Sequence, residues 1–220
     1  MFDETLLFSS DQLERLTRAF HSGAAVGSDA MQRWLGVPTL ISIDSVDQCP
    51  MEMATGVLGQ TGDAVGMCLM RMQGTFTGLM VLAFEDSSGL AMTDLILGHA
   101  PGTAVQWGEL EMSAALESMN ILGSAYLNGM ADFLSRGNAG TVELIPSPPR
   151  FVRDFAESLL QTAFMEQAVV GSHMLFARAR FEMRGRPLKW TFLLIPDPPS
   201  LVRLAILLSE HFPSDAAGTP

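Results

Sequence analysis

Apolar residues recur at helical spacing from Gln106 to Ser135, in a stretch without proline, and predict one long helix. Its polar residues keep the same rhythm, with Glu109, Ser113, Glu117, Asn120, Ser124 and Asn128 three or four positions apart. At about 100° per residue, the last five fall on a strip roughly 80° wide. Leu116, Met119, Leu122, Tyr126, Met130 and Phe133 lie beside or opposite it. Residues 9–35 show a similar pattern, opening at Ser9, Ser10 and Asp11 as possible caps and closing at Gly36 and Pro38.

The remaining elements follow in two parallel series. After the first helix, TLISIDSV alternates as a strand, Met51 to Leu58 reads as a short helix or turn, and VGMCLMRM and FTGLMVLAF form a hairpin about Gly74. LAMTDLIL is then a helix, with Ser87 and Ser88 as candidate caps and Gly98 as its stop. After the long helix 106–135, a strand is expected at Thr141 to Ile145, broken by Pro146, Pro148 and Pro149. VRDFAESLLQTAFM, within 151–165, reads as an amphipathic helix. Strands at 168–183 and 188–195 flank a turn at Arg184 to Pro187, and LVRLAILLSEHF is the last helix.

The two series superpose. FTGLMVLAFEDSSGLAMTDLIL matches PLKWTFLLIPDPPSLVRLAILL at an offset of 111, and the two long helices match at 99. A repeated helix, strand, helix, hairpin, helix unit predicts an α+β fold of one domain spanning 1–220, with repeats at about 9–98 and 106–211. Six strands would share one mainly antiparallel sheet, with both long helices on one face.

Composition narrows the function classes. The 24 acidic and 13 basic residues leave a formal charge of −11, a field that repels a phosphate backbone, so nucleic acid is set aside as a partner. Hydrophobic residues make up 48% and charged residues 17%, a balance that excludes a disordered chain and fits self-association as a homodimer. Cys49 and Cys68 have neither metal-ligand spacing nor the density of a disulfide framework, and the methionines fall at core-like positions. The start, MFDETLLFSSDQLERL, carries an acidic residue where a signal peptide has a basic region, and no apolar run reaches membrane-spanning length. We therefore expect a cytoplasmic protein without a membrane anchor.

The common catalytic constellations are missing. His21, His99, His173 and His211 are dispersed without HxxxH or HExxH spacing, and there is no GxSxG elbow, GxxxxGKS loop or GxGxxG turn. Arg178, Arg180, Arg184, Arg186 and Lys189 gather positive charge on one predicted hairpin, which reads as a solvated strand face or a binding surface. What stands out is the polar strip of the long helix.

Along that strip Ser113, Glu117 and Asn120 form S-x-x-x-E-x-x-N, continued as N-I-L-x-x-x-Y-L-N through Asn128, with a proline at 146. This resembles the signature of the CheC/CheX/FliY family, phosphatases of the phosphorylated chemotaxis response regulator CheY. The likeness extends to both hairpins and to the duplication, although the family proline stands slightly closer to the asparagine than Pro146 does. Family proteins carry one such site or two. Aligning the first helix places Arg18 where the glutamate belongs and His21 where the asparagine belongs, so the first site reads as degenerate.

The resemblance implies hydrolysis of an aspartyl phosphate. The receiver holds Mg²⁺ and the activated acyl phosphate, so this chain need bind no cofactor or metal and supplies placement of a water. Asn120, with a donor and an acceptor, would hold that water in line. Glu117, one turn away, would pair with the receiver's lysine. Ser113, Ser124 and Asn128 would complete the docking surface. The implied partners are a phosphorylated CheY-like receiver and a CheD-like modulator. A non-catalytic module binding a receiver or the flagellar switch is the alternative.

Overall fold

The computed structural model of the chain describes residues 8–50, 64–100, 102–136, 140–155, 173–183 and 186–209. Helix α1 spans Ser10–Leu35. Ser9 caps it through a reciprocal box in which its hydroxyl accepts from the Gln12 amide and the Gln12 side chain accepts from the Ser9 amide. Gly36 closes it. Strand β1 (Thr39–Pro50), the hairpin β2 (Ala64–Gly74) and β3 (Gly78–Glu85), and helix α2 (Asp86–Ile96) complete the first half. The second half is α3 (Glu109–Arg136), β4 (Leu144–Pro146), β5 (Arg150–Phe155), β6 (His173–Met183), β7 (Arg186–Pro196) and α4 (Pro198–Ser209). Pro198 and Pro199 sit in the first turn of α4, where the missing amide hydrogens cost nothing.

These strands form one antiparallel sheet ordered β1-β6-β7-β3-β2, with β4 and β5 both pairing along the far edge of β2. Under the correspondence of the two halves this order is palindromic. The first strand of each half pairs with the hairpin of the other, and β3 pairs with β7 at the centre. Neither half closes its share of the sheet alone.

Both long helices contribute to a single buried cluster on one face of the sheet. Leu16, Phe20 and Met31 of α1 and Met119, Leu122, Tyr126 and Met130 of α3 share it with Met70, Met80, Leu82, Phe84, Phe181, Phe192 and Leu194. The helices run antiparallel and very close. A Cβ on Gly23 would stand 2.8 Å from the Tyr126 carbonyl oxygen, and one on Gly27 would stand 3.0 Å from the Leu122 side chain. The two contacts interchange under the 99-residue offset, so the helix pair carries the pseudo-two-fold relation predicted from the sequence.

Several boundaries depart from expectation. Among the described residues the sheet has seven strands rather than six, because the edge strand of the second half is split at the prolines. Residues 151–155, expected to begin a helix, pair with β2 from Cys68 to Ala64. Their spacing of Phe151, Val152 and Phe155 suits either period, and the free edge of β2 decides in favour of the strand. The strand expected at Thr141 instead starts at Leu144 and includes Pro146, which an edge strand tolerates. Ser87 and Ser88 lie inside the first turn of α2 and do not cap it. The helix or turn expected at Met51 to Leu58, and residues 156–165 of the expected helix, lie outside the described residues. Among the described residues no helix is long and apolar enough to cross a membrane.

Candidate functional site

Helix α3 is anchored by its apolar side, with Ala115, Met119, Leu122 and Tyr126 fully buried. That burial turns the polar strip outward. Ser113, Glu117, Asn120 and Asn128 are exposed and Ser124 is half-buried. Beside the strip runs the broken edge of the sheet. The two elements enclose a groove of about 400 Å³, lined on the helix side by Ser113, Leu116, Glu117 and Asn120. Its opposite wall is Pro146, Ser147, Pro148 and Pro149.

The helix therefore brings Ser113, Glu117 and Asn120 into one recess, and the fold adds Pro146 from the other side. Ser124 and Asn128 continue the strip beyond the groove and do not line it. Glu117 and Asn120 make no side-chain hydrogen bond among the described residues, so both present their full bonding capacity to a visitor. One carboxylate, one carboxamide and two serine hydroxyls stand in a recess otherwise walled by Leu116 and prolines. Such a set can grip a cation and orient a water or an oxyanion, but it offers no thiol or imidazole nucleophile.

The proline wall is where the sequence was least informative, since Pro-Ser-Pro-Pro reads simply as a break. Leu116, Ser147, Pro148 and Pro149 were not anticipated as site residues, and only their place on the sheet edge identifies them. The wall is well held. Ser147 donates its amide to the Arg71 carbonyl at 2.8 Å, and its hydroxyl accepts from the Arg71 amide at 3.0 Å. At the other end of β4, Thr75 donates its amide to the Glu143 carbonyl at 2.7 Å and accepts from the Glu143 amide through its hydroxyl at 2.9 Å. Gly74, at φ 114°, permits this approach, because a Cβ there would collide with the Glu143 carbonyl.

The first half is different in both walls. Arg18 is exposed and paired with Glu14 at 2.7 Å, and His21 is exposed on the same helix. The edge strand of that half stays in register from Thr39 opposite Met183 to Ile43 opposite Ala179, and its own irregularity falls later, between Ile43 and Ser45. Elsewhere, Arg180 of the basic hairpin is paired with Asp44 at 2.6 Å, while Arg184 lies outside the described residues.

No family model matches the chain. By sequence it is 24% identical over 148 residues to CheC1 of Halobacterium salinarum, which carries the name of a CheY-P phosphatase; the match covers 67% of this chain and 72% of that protein. Among solved structures, FliY of Thermotoga maritima superposes with a TM-score of 0.71 at 15% identity, covering 93% of this chain and 98% of FliY. The FliM middle domain of H. pylori superposes at 0.59 and 16% identity, over 92% and 99% of the respective chains. CheX of Desulfovibrio desulfuricans does so at 0.51 and 8%, over 81% and 99%. These superpositions establish the fold. With the likeness to CheC1 and the S-x-x-x-E-x-x-N strip exposed on the second long helix, they make the chain similar to the CheC/CheX/FliY proteins in fold and, over two thirds of its length, to CheC1 in sequence.

Proposed function

We propose that the groove beside α3 receives the phosphorylated receiver domain of a CheY-like response regulator and hydrolyses its aspartyl phosphate. The observation that carries this reading is that Glu117 and Asn120, one helical turn apart, are both exposed and line the same groove. An acyl phosphate is already activated, so placement of water is the missing ingredient. The Asn120 carboxamide accepts a hydrogen bond from a water or donates one to it, and holds it in line with phosphorus. The water oxygen forms the new P–O bond as the bond to the aspartyl oxygen breaks. Inorganic phosphate departs and the receiver's carboxylate is regenerated. Glu117 pairs with the receiver's active-site lysine and sets the register of docking. Mg²⁺ belongs to the receiver in this scheme.

The test is to charge a CheY-like receiver with a small phosphodonor and follow phosphoreceiver decay with wild type, Asn120→Ala and Glu117→Lys. Wild type accelerates decay, Asn120→Ala binds without accelerating it, and Glu117→Lys loses affinity. Equal acceleration by wild type and Asn120→Ala sinks the catalytic assignment.

A second reading is favoured by the rewritten first strip and by the FliM likeness, which includes a solved FliG–FliM complex from H. pylori at a TM-score of 0.59. On this reading the chain docks a receiver or a flagellar-switch component without turnover. Receiver binding with no accelerated decay in the same assay selects it.

A further inference from the structure

The second half differs from the first by more than two side chains, because its edge strand leaves the ladder where the other stays in it. On the far edge, only Leu40 and Ile41 lie between the residues that pair with Met183 and Arg180. On the groove edge, Ser147, Pro148 and Pro149 lie between the residues that pair with Met72 and Leu69. Three residues thus stand where the opposite edge has two, and the extra length goes into the wall of the groove.

Proline has no amide hydrogen, so of Pro146, Ser147, Pro148 and Pro149 only Ser147 can donate to the strand beneath. It does so, and its hydroxyl supplies the acceptor that the Arg71 amide would otherwise lack. The same hydroxyl donates to the Pro148 carbonyl at 3.2 Å. One side chain thereby satisfies β2 and locks the bulge, while the prolines flanking it have fixed φ. A wall so constrained loses little conformational entropy when a partner settles on it.

Resting on the functional reading above, we propose that Ser147, Pro148 and Pro149 form a preset docking ledge for the receiver, with Ser147 as its positioning residue. The ledge acts on association and not on the chemical step. At the ladder positions equivalent to the ledge, Thr39 to Ser42, the first half stays in register, so restoring a glutamate and an asparagine at Arg18 and His21 does not recreate a site.

The experiment measures receiver affinity, KM and kcat for wild type, Ser147→Ala and Ser147→Thr, with the Arg71 amide followed by NMR. Ser147→Ala raises KM and Kd about tenfold, the scale of the ordering cost of a loosened side chain or two on docking, with kcat within about twofold. Ser147→Thr keeps its hydroxyl and wild-type affinity, and the Arg71 amide resonance moves in the alanine variant alone. If Ser147→Ala does not fold by circular dichroism, Pro148→Gly with Pro149→Gly softens the ledge without touching the Arg71 bonds, and the same rise in KM is expected.

If wild type works while Ser147→Ala or the glycine variant keeps wild-type KM, or loses kcat alone, the ledge is refuted and the functional reading stands. If wild type neither binds nor dephosphorylates the receiver, the functional reading fails and the ledge with it. In an Asn120→Ala background, Arg18→Glu with His21→Asn recovers no activity; recovery of wild-type rates overturns the geometric account of the lost first site.

Discussion

The Trp107 indole donates its N–H to the Asp86 carboxylate at 2.8 Å, tying the entry to α3 to the start of α2. Arg153 of β5 meets the same carboxylate through two nitrogens, the shorter contact at 2.6 Å. Trp107 also packs on Phe151 of β5 and on Phe84 of β3, with ring centroids 4.8 and 5.4 Å away. Helix and sheet edge, the two elements that wall the groove, are therefore joined at one end by a single polar and aromatic cluster.

This cluster predicts an acid dependence. The hydrogen bond from Arg153 holds the Asp86 carboxyl below its usual range, partial burial opposes it, and Trp107 assists. A lowered carboxyl value means the stabilisation is present above the unfolded value of about 4 and is lost as pH falls through the lowered folded value. Asp86→Asn should lower the Tm at pH 7, and the gap from wild type should close on acidification below pH ~4. Thermal melts across that window check it, and a gap that stays constant with pH contradicts it.

The helix crossing makes a second prediction. With the Tyr126 carbonyl 2.8 Å from a Cβ at Gly23, Gly23→Ala forces α1 and α3 apart. Overpacking of this kind costs about 1–3 kcal/mol, and the helix propensity gained by alanine returns at most about 1. Net destabilisation by denaturant titration is expected, whereas the same change at Gly98, which has open space but φ 70°, tests backbone strain without a clash.

Tyr126 is fully buried and its hydroxyl has no hydrogen-bond partner among the described residues. Burial without compensation drives its pKa well above the ordinary phenol value. Tyr126→Phe deletes that unsatisfied group and keeps the ring against Phe20 and Phe192. Stability equal to wild type or higher by about 1 kcal/mol is expected, and a loss of more than that contradicts the geometry.

Glu117 and Asn120 are exposed and serve no packing role, so their loss should separate function from stability. Asn120→Ala and Glu117→Gln should each unfold within about 0.5 kcal/mol of wild type. A mispositioned water costs Asn120→Ala about 10²-fold in phosphoreceiver hydrolysis. For Glu117→Gln the loss is in affinity, and receiver binding becomes less sensitive to ionic strength than in wild type.

Local pattern alone determined much of this protein. Helical spacing located α1 and α3, the turn at Gly74 located the β2–β3 hairpin, and the offsets of 99 and 111 revealed the pseudo-two-fold arrangement. Spacing also put Ser113, Glu117 and Asn120 on one helix face, because a helix converts sequence separation directly into angle. Tertiary structure decided what no local signal encodes. Phe151 to Phe155 joined the sheet because β2 offered an unfilled edge, and the exchange of first strands between halves follows from pairing across the whole chain. The wall facing Glu117 and Asn120 has the same origin. Pro146 to Pro149 announce only that backbone donors are missing, and it is the strand beneath them, bonded through Ser147, that turns the missing donors into one side of a groove.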